Sequence, residues 1–146
     1  SFTITAMASI FTRIIEGEIP GRFVWSDDVC IVMLDIRPLH PGHVLVIPRV
    51  EVDHWIDLDA STVAHLMQVA HQVGSAQKAV VPCERIGLMI AGFEVPHTHV
   101  HVVPLQGMEN LDFRNAETSP RADVLDEMAE RLRQALRDAG HGDFVP

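Results

Sequence analysis

Between Val95 and Pro104 the chain reads VPHTHVHVVP, with histidines at 97, 99 and 101 separated by single residues. Alternation of this kind marks an extended strand, because successive side chains leave a strand on opposite faces. His97, His99 and His101 therefore share one face, with neighbours about 6.6–6.8 Å apart along the strand. Thr98, Val100 and Val102 share the other face, which needs a covering layer. One side of this strand is core and the other is a row of imidazoles. Such a row is costly to bury unless each ring nitrogen has a partner.

The rest of the chain can supply the covering layer. Residues 8–17 place Ile10, Phe11, Ile14 and Ile15 at helical spacing and stop at Gly17. RFVWSDD and VCIVMLDI read as two strands joined by a turn at Ser26–Asp28, and HVLVIP as a central strand. Pro41-Gly42 suits the middle of a type II turn leading into it. A long helix takes Asp59 or Ser61 as N-cap and buries Val63, Leu66, Ala70 and Val73, leaving His65 and His71 on its solvated side. Residues 85–93 and 97–104 form a second strand pair, and a closing helix buries Val124, Met128, Leu132 and Leu136 before ending at Gly140. Strands interrupted by one long helix and closed by another predict an α+β fold with an antiparallel sheet.

A chain of 146 residues is one domain's worth. Residues 1–6 read as a tag remnant or disordered extension, leaving a single domain over 7–146. The opening lacks the basic start and apolar core of a signal peptide, and no apolar run is long enough to span a membrane. Cys30 and Cys83 lie far apart and read as reduced thiols in a cytoplasmic protein. A net charge of −9 disfavours duplex nucleic acid as a partner. It does not exclude a small phosphate ligand held by local donors.

Three uses of the histidine row remain open from the residues alone. The rings can be structural, each satisfied by backbone or water. Two of them can ligate a divalent metal of a hydrolase, with His40, His43 or Asp35 completing the site. Or one ring attacks phosphorus while its neighbours hydrogen-bond to phosphate oxygens, since neutral imidazole is a competent nucleophile near pH 7.

HTHVHVV fits the alternating signature of the histidine triad (HIT) superfamily. The run from SIFTRIIEGEIP through LDIRPLHPGHVLVIPR also resembles the amino-terminal half of histidine triad nucleotide-binding proteins, so the resemblance covers about Ser9 to Leu105. It implies a five-stranded antiparallel sheet with a long central helix and a C-terminal helix. It also implies a homodimer that needs no cofactor or catalytic metal. In such proteins the middle histidine, here His99, attacks the α-phosphorus of a purine nucleotide conjugate and forms a nucleotidyl-histidine, which water splits to nucleoside monophosphate. The conjugate is a phosphoramidate, an acyl-adenylate or a dinucleoside polyphosphate. His101 would hold phosphate oxygens, His97 would orient His99 through its carbonyl, and His43 would support the row from the neighbouring strand. Asp35 matches the acid that binds ribose hydroxyls, and Ile10, Phe11, Ile14, Ile19, Met33, Ile36 and Leu45 match the base pocket.

The departures from the family pattern are informative too. Many relatives begin with Cys-x-x-Cys, which binds structural zinc; here the position reads Ser9-Ile10-Phe11-Thr12, with Glu51 where a further zinc histidine often stands, so no structural zinc is expected. Relatives carry a Gly-Gln-Ser/Thr run before the triad. Here Phe93 and Glu94 stand in its place, putting an anion near a phosphate site. Glu94 either faces solvent or faces the leaving group, where it would disfavour a polyphosphate. The loss of neutral donors keeps an alternative open: a nucleotide-binding regulatory module with little catalysis.

Overall fold

The computed structural model describes residues 8–146, so the extension read at residues 1–6 lies outside the described residues. Among the described residues, strands β1 (Phe23–Ser26), β2 (Cys30–Leu34), β3 (Val44–Pro48), β4 (Arg85–Met89) and β5 (Val100–Leu105) form one antiparallel sheet in the order β1-β2-β3-β5-β4. Helix α1 (Ile10–Ile15) starts on a Ser9 cap that accepts from the Thr12 N–H. Helix α2 (Ala60–Val80) starts after Asp59, and helix α3 (Ala122–Leu136) closes the chain. Both predicted turns form as read. Asp27 Oδ1 accepts from the Val29 and Cys30 amides to shape the β1–β2 connection. The His43 N–H donates to His40 O at 3.1 Å, with Gly42 at φ +90° between them.

Period-two alternation sorts the sheet's side chains into two cores. Val32, Leu34, Val44, Val46, Val100 and Val102 face α2 and α3, packing under Leu66, Val69, Val73, Leu125, Ala129 and Leu132. Ile31, Met33, Leu45 and Ile47 point the other way and meet Phe11 and Ile14 of α1. Leu45 pairs with Met33 on one side and with His101 on the other, so the imidazole face of β5 opens onto this second core.

Three readings of the chain need correction. The hydrogen-bonded part of β5 begins at Val100, and β4 stops at Met89 rather than running to Phe93. The cause is tertiary: Thr98 N and Oγ1 both donate to Val52 O, so the chain before Val100 pairs with the segment after β3 and not with the residues that follow β4. In α3 the buried stripe is Leu125, Ala129, Leu132 and Leu136, while Val124 is half exposed. That helix packs against both α2 and β1, so its buried arc turns one residue past the expected one. His65 is not merely solvated, because its Nε2 meets Asp27 Oδ2 at 2.7 Å. Among the described residues, no helix is long and apolar enough to cross a membrane.

Candidate active site

The three histidines do project to one side, and all are buried. Backbone partners fix which nitrogen of each ring carries a proton. His97 Nε2 lies 2.8 Å from Pro48 O; a carbonyl only accepts, so Nε2 is the protonated nitrogen. His97 Nδ1 then accepts from Ser9 Oγ at 2.7 Å. His99 Nδ1 lies 2.7 Å from the His97 carbonyl and must donate to it, which leaves His99 Nε2 as a bare lone pair. The fourth ring, His43, works in the opposite sense. Its Nδ1 accepts from the Leu39 N–H at 3.0 Å, so its Nε2 donates to His101 Nδ1 at 2.9 Å. His101 Nε2 therefore carries a hydrogen. A bare nitrogen on His99 and a donor on His101 stand on rings 5.0 Å apart.

Burial disfavours the charged forms of His43, His97 and His101. It pushes His101 down to about 4, with the neighbouring His99 ring adding to the effect. Burial likewise takes His43 down to about 3, with His101 and His99 adding to the effect. His97 is lowered by burial against an opposing hydrogen bond to Pro48. Asp35 sits just past β2, where its N–H donates to His43 O and its Oδ1 accepts from the Arg37 N–H. Its Oδ2 lies 3.6 Å from His43 Nε2. Burial raises its carboxyl, opposed by Arg37.

A cleft of about 490 Å³ runs past these groups. It brings together Asp35, Glu94, His99 and His101 with every apolar residue expected in the base pocket: Ile10, Phe11, Ile14, Ile19, Met33, Ile36 and Leu45. Phe11 packs edge-on against His99 with centroids 4.9 Å apart, tying that slot to the imidazole row. Ile36 and Ile10 are exposed and form the rim. His97 and His43 stand behind the lining and act through the rings they touch. The His40 ring meets the carbonyl of its neighbour Pro41 and stays at the turn surface.

Sequence reasoning missed several contributors. Gly21 lines the cleft, and a Cβ there would come within 2.9 Å of Ile14 Cγ2. Arg37 lies 3.7 Å from Glu94 at the mouth. Phe113, in a short 3₁₀ turn after β5, packs edge-on against His101. Gln77 of α2 is fully buried and donates to both Gly42 O and Val102 O, the carbonyls next to His43 and His101. None of these four carried a local signal of its role, which depends on what the folded chain sets beside it.

Two metal sites deserve testing against these residues. Ser9, Thr12, Glu51 and His97 stand where relatives are expected to hold zinc, and they are bonded to one another: Glu51 Oε1 accepts from Ser9 N and Thr12 Oγ1. Two neutral hydroxyls are poor zinc donors, so this set does not fit the ion. Asp35, His43 and His101 lie close enough to share an ion. The His43 and His101 nitrogens, however, already face each other across a hydrogen bond whose direction the Leu39 amide sets. Without a metal, the arrangement can present a nucleophilic nitrogen beside a donor for an anionic oxygen.

Comparisons with known proteins agree with this fold. The HIT domain profile matches residues 16–108. The chain is 35% identical over 123 residues to a bifunctional bis(5′-adenosyl)-triphosphatase/adenylylsulfatase of Arabidopsis thaliana, covering 80% of this chain and 65% of that one. A HIT-like protein involved in cell-cycle regulation from Bartonella henselae superposes with a TM-score of 0.77 at 30% identity, covering 88% of this chain and 96% of that one. A hypothetical histidine triad nucleotide-binding protein from Sulfolobus tokodaii gives 0.76 at 26% identity, over 88% and 91% of the two chains.

Proposed function

The chain belongs to the HIT family, and from that premise we propose that it is a nucleotide hydrolase or transferase acting through a covalent intermediate on His99. The observation that carries this reading is the bare His99 Nε2, fixed by the Nδ1–H···O bond to the His97 carbonyl. The base enters the slot of Phe11, Ile14, Ile19, Met33 and Leu45, between rim residues Ile10 and Ile36, and Asp35 Oδ2 accepts from the ribose hydroxyls. His99 Nε2 forms a bond to the α-phosphorus as the bond to the leaving group breaks. His101 Nε2–H holds a phosphate oxygen, and water then releases the nucleoside monophosphate. His43 and His97 are positioning residues: one fixes the His101 proton, the other holds His99 through its carbonyl. No cofactor or metal enters this scheme.

Several wider statements belong to the same proposal. The chain is a single HIT domain over residues 7–146, working in the cytoplasm with Cys30 and Cys83 reduced. It forms a homodimer through the face of α2 and the edge of β4 left unpaired among the described residues, where Met67 and Leu88 are exposed beside Ala70, Gly74 and Ile86. A lone edge strand beside apolar side chains is a natural surface for a second copy. Sedimentation of the purified chain tests this: a dimer is expected, and a monomer at high concentration contradicts it.

The mechanism is tested by quenching the enzyme during turnover of adenosine 5′-phosphoramidate and mapping the adduct by mass spectrometry. Adenylate on the peptide containing His99, absent from His99→Ala, is expected. A second reading, a nucleotide-binding regulatory module, is favoured by Glu94 standing on the cleft wall where a neutral donor was expected. Tight AMP binding with neither adduct nor released monophosphate would select it.

A further inference from the structure

Of the seven buried residues of α2, Gln77 alone is polar. Its amide nitrogen lies 2.8 Å from Gly42 O and 2.9 Å from Val102 O. Both partners are carbonyls, so the group between them is the NH2, and both its hydrogens are used. Oε1 is left over, and among the described residues it is the one buried side-chain nitrogen or oxygen without a hydrogen bond. An unpaired buried oxygen carries a penalty that an apolar side chain in the same place would not. What the amide does there follows from where its two carbonyls stand in the sheet.

Strands β3 and β5 pair Val46 with Val100, Leu45 with His101 and Val44 with Val102. Continued two residues further, the same register sets Gly42 opposite Pro104, and proline has no N–H to give. The two are close: a Cβ placed on Gly42 would lie 3.5 Å from Pro104 Cγ. The ladder therefore stops, and Gln77 donates to Gly42 O in place of the missing strand amide. Its second hydrogen ties Val102, the last paired residue, to the same point. Gly74, one turn earlier in α2, lets the helix come this near, since a Cβ there would be 3.3 Å from Ile86 Cγ2 and 3.9 Å from Val102 Cγ1.

The other face of this seam carries two of the rings of the site. His43 follows Gly42, His101 precedes Val102, and His43 Nε2 donates to His101 Nδ1 at 2.9 Å across the same pair of strands. His43 stands one residue past the end of the ladder. A slip at this end of the seam is felt first between the two rings, and a hydrogen bond tolerates only a few tenths of an ångström.

We propose that Gln77 is a positioning residue for the reaction: it staples the β3–β5 seam from the helix side, keeping the His43–His101 hydrogen bond short and the His101 hydrogen on Nε2. The inference rests on the proposed role of His101 as donor to a phosphate oxygen. Without the staple the two rings part, and His101 divides its single hydrogen between Nδ1 and Nε2. The nucleotide still binds through the base slot and Asp35, neither of which Gln77 touches. A donor aimed at an oxygen whose charge grows in the transition state acts chiefly on kcat, so the loss belongs there and not in KM.

The test uses Gln77→Met, which keeps the side chain's size and removes its polar atoms. The variant is expected to fold and to bind AMP as the native chain does. Its kcat on adenosine 5′-phosphoramidate should fall about tenfold with KM unchanged. Imidazole nitrogen NMR should show the His101 Nδ1 and Nε2 signals moving toward each other while those of His97 and His99 stay in place. In a His43→Ala background, Gln77→Met should lower kcat no further, because the staple acts through that ring. Native kcat, unmoved His101 signals, or an equal loss in the His43→Ala background overturns the inference. The NMR does not depend on turnover: a native chain that turns over no substrate overturns the proposed hydrolase, while the His101 signals still decide the role of Gln77. Should Gln77→Met not fold, Gln77→Glu, of like shape but with at most one donor, is read by the same measurements.

Discussion

Strand β2 has an aspartate beyond each end, and each lies beside a histidine, yet the two carboxylates differ in how far they are satisfied. Asp27 accepts from the Val29 and Cys30 amides on one oxygen and from Trp25 Nε1 and His65 Nε2 on the other. Burial works to raise it, but the bonds from Trp25, Cys30, His65 and Val29 outweigh burial and hold it at about 2. Asp35 accepts one amide on Oδ1, while its Oδ2 has only His43 at 3.6 Å and faces the cleft. Similar residue types thus build a clamp at one end and an available acceptor at the other. What separates structure from chemistry here is unspent hydrogen-bonding capacity.

Acid should separate the two ends most strongly. His101 titrates at about 4 in the fold against an ordinary 6.5. Between those values the unfolded chain binds a proton that the folded chain refuses, so stability falls as pH drops from 6.5 toward 4, by about 3 kcal/mol. His43, held down to about 3, extends the same loss. The Asp27 clamp is shifted the same way but in a more acid window: its contribution is intact above 3.8 and is lost only as pH falls toward 2. Urea unfolding across this range should show the histidine loss first, and stability flat from pH 7 to 4 would contradict it.

Substitution sharpens the contrast. Asp27→Asn places an amide N–H2 among donors and should cost about 2–3 kcal/mol of stability, read by denaturant titration, with KM unchanged. Asp35→Asn should do the reverse, raising KM about tenfold while thermal unfolding stays near the native value. A smaller effect is expected at Ser9→Ala, which removes the α1 cap and the partner of His97 Nδ1. A loss of about 1 kcal/mol should appear in thermal melts.

The alternation in HTHVHVV was enough to place three imidazoles on one face, and apolar periodicity recovered the strands, the two long helices and both turns. The extent of β4 was not legible, because Thr98 pairs with Val52, 46 residues away, and no local pattern reports that choice. The α3 stripe was displaced for a related reason: periodicity gives the width of an apolar face, while its centre depends on the neighbours it meets. His65 was unreadable as a partner of Asp27, 38 residues distant. At the site, residue types suggested the groups, but proton positions came from the Pro48 and His97 carbonyls and the Leu39 amide, which are invisible in a string of side chains.

Long-range proton–nitrogen NMR on the imidazole-labelled protein at slightly alkaline pH reads those proton positions directly. His99 should be protonated at Nδ1 with a bare Nε2, while His43 and His101 carry their protons on Nε2. Finding the proton of His99 on Nε2 would leave the cleft without a nucleophilic nitrogen and contradict the mechanism at its root.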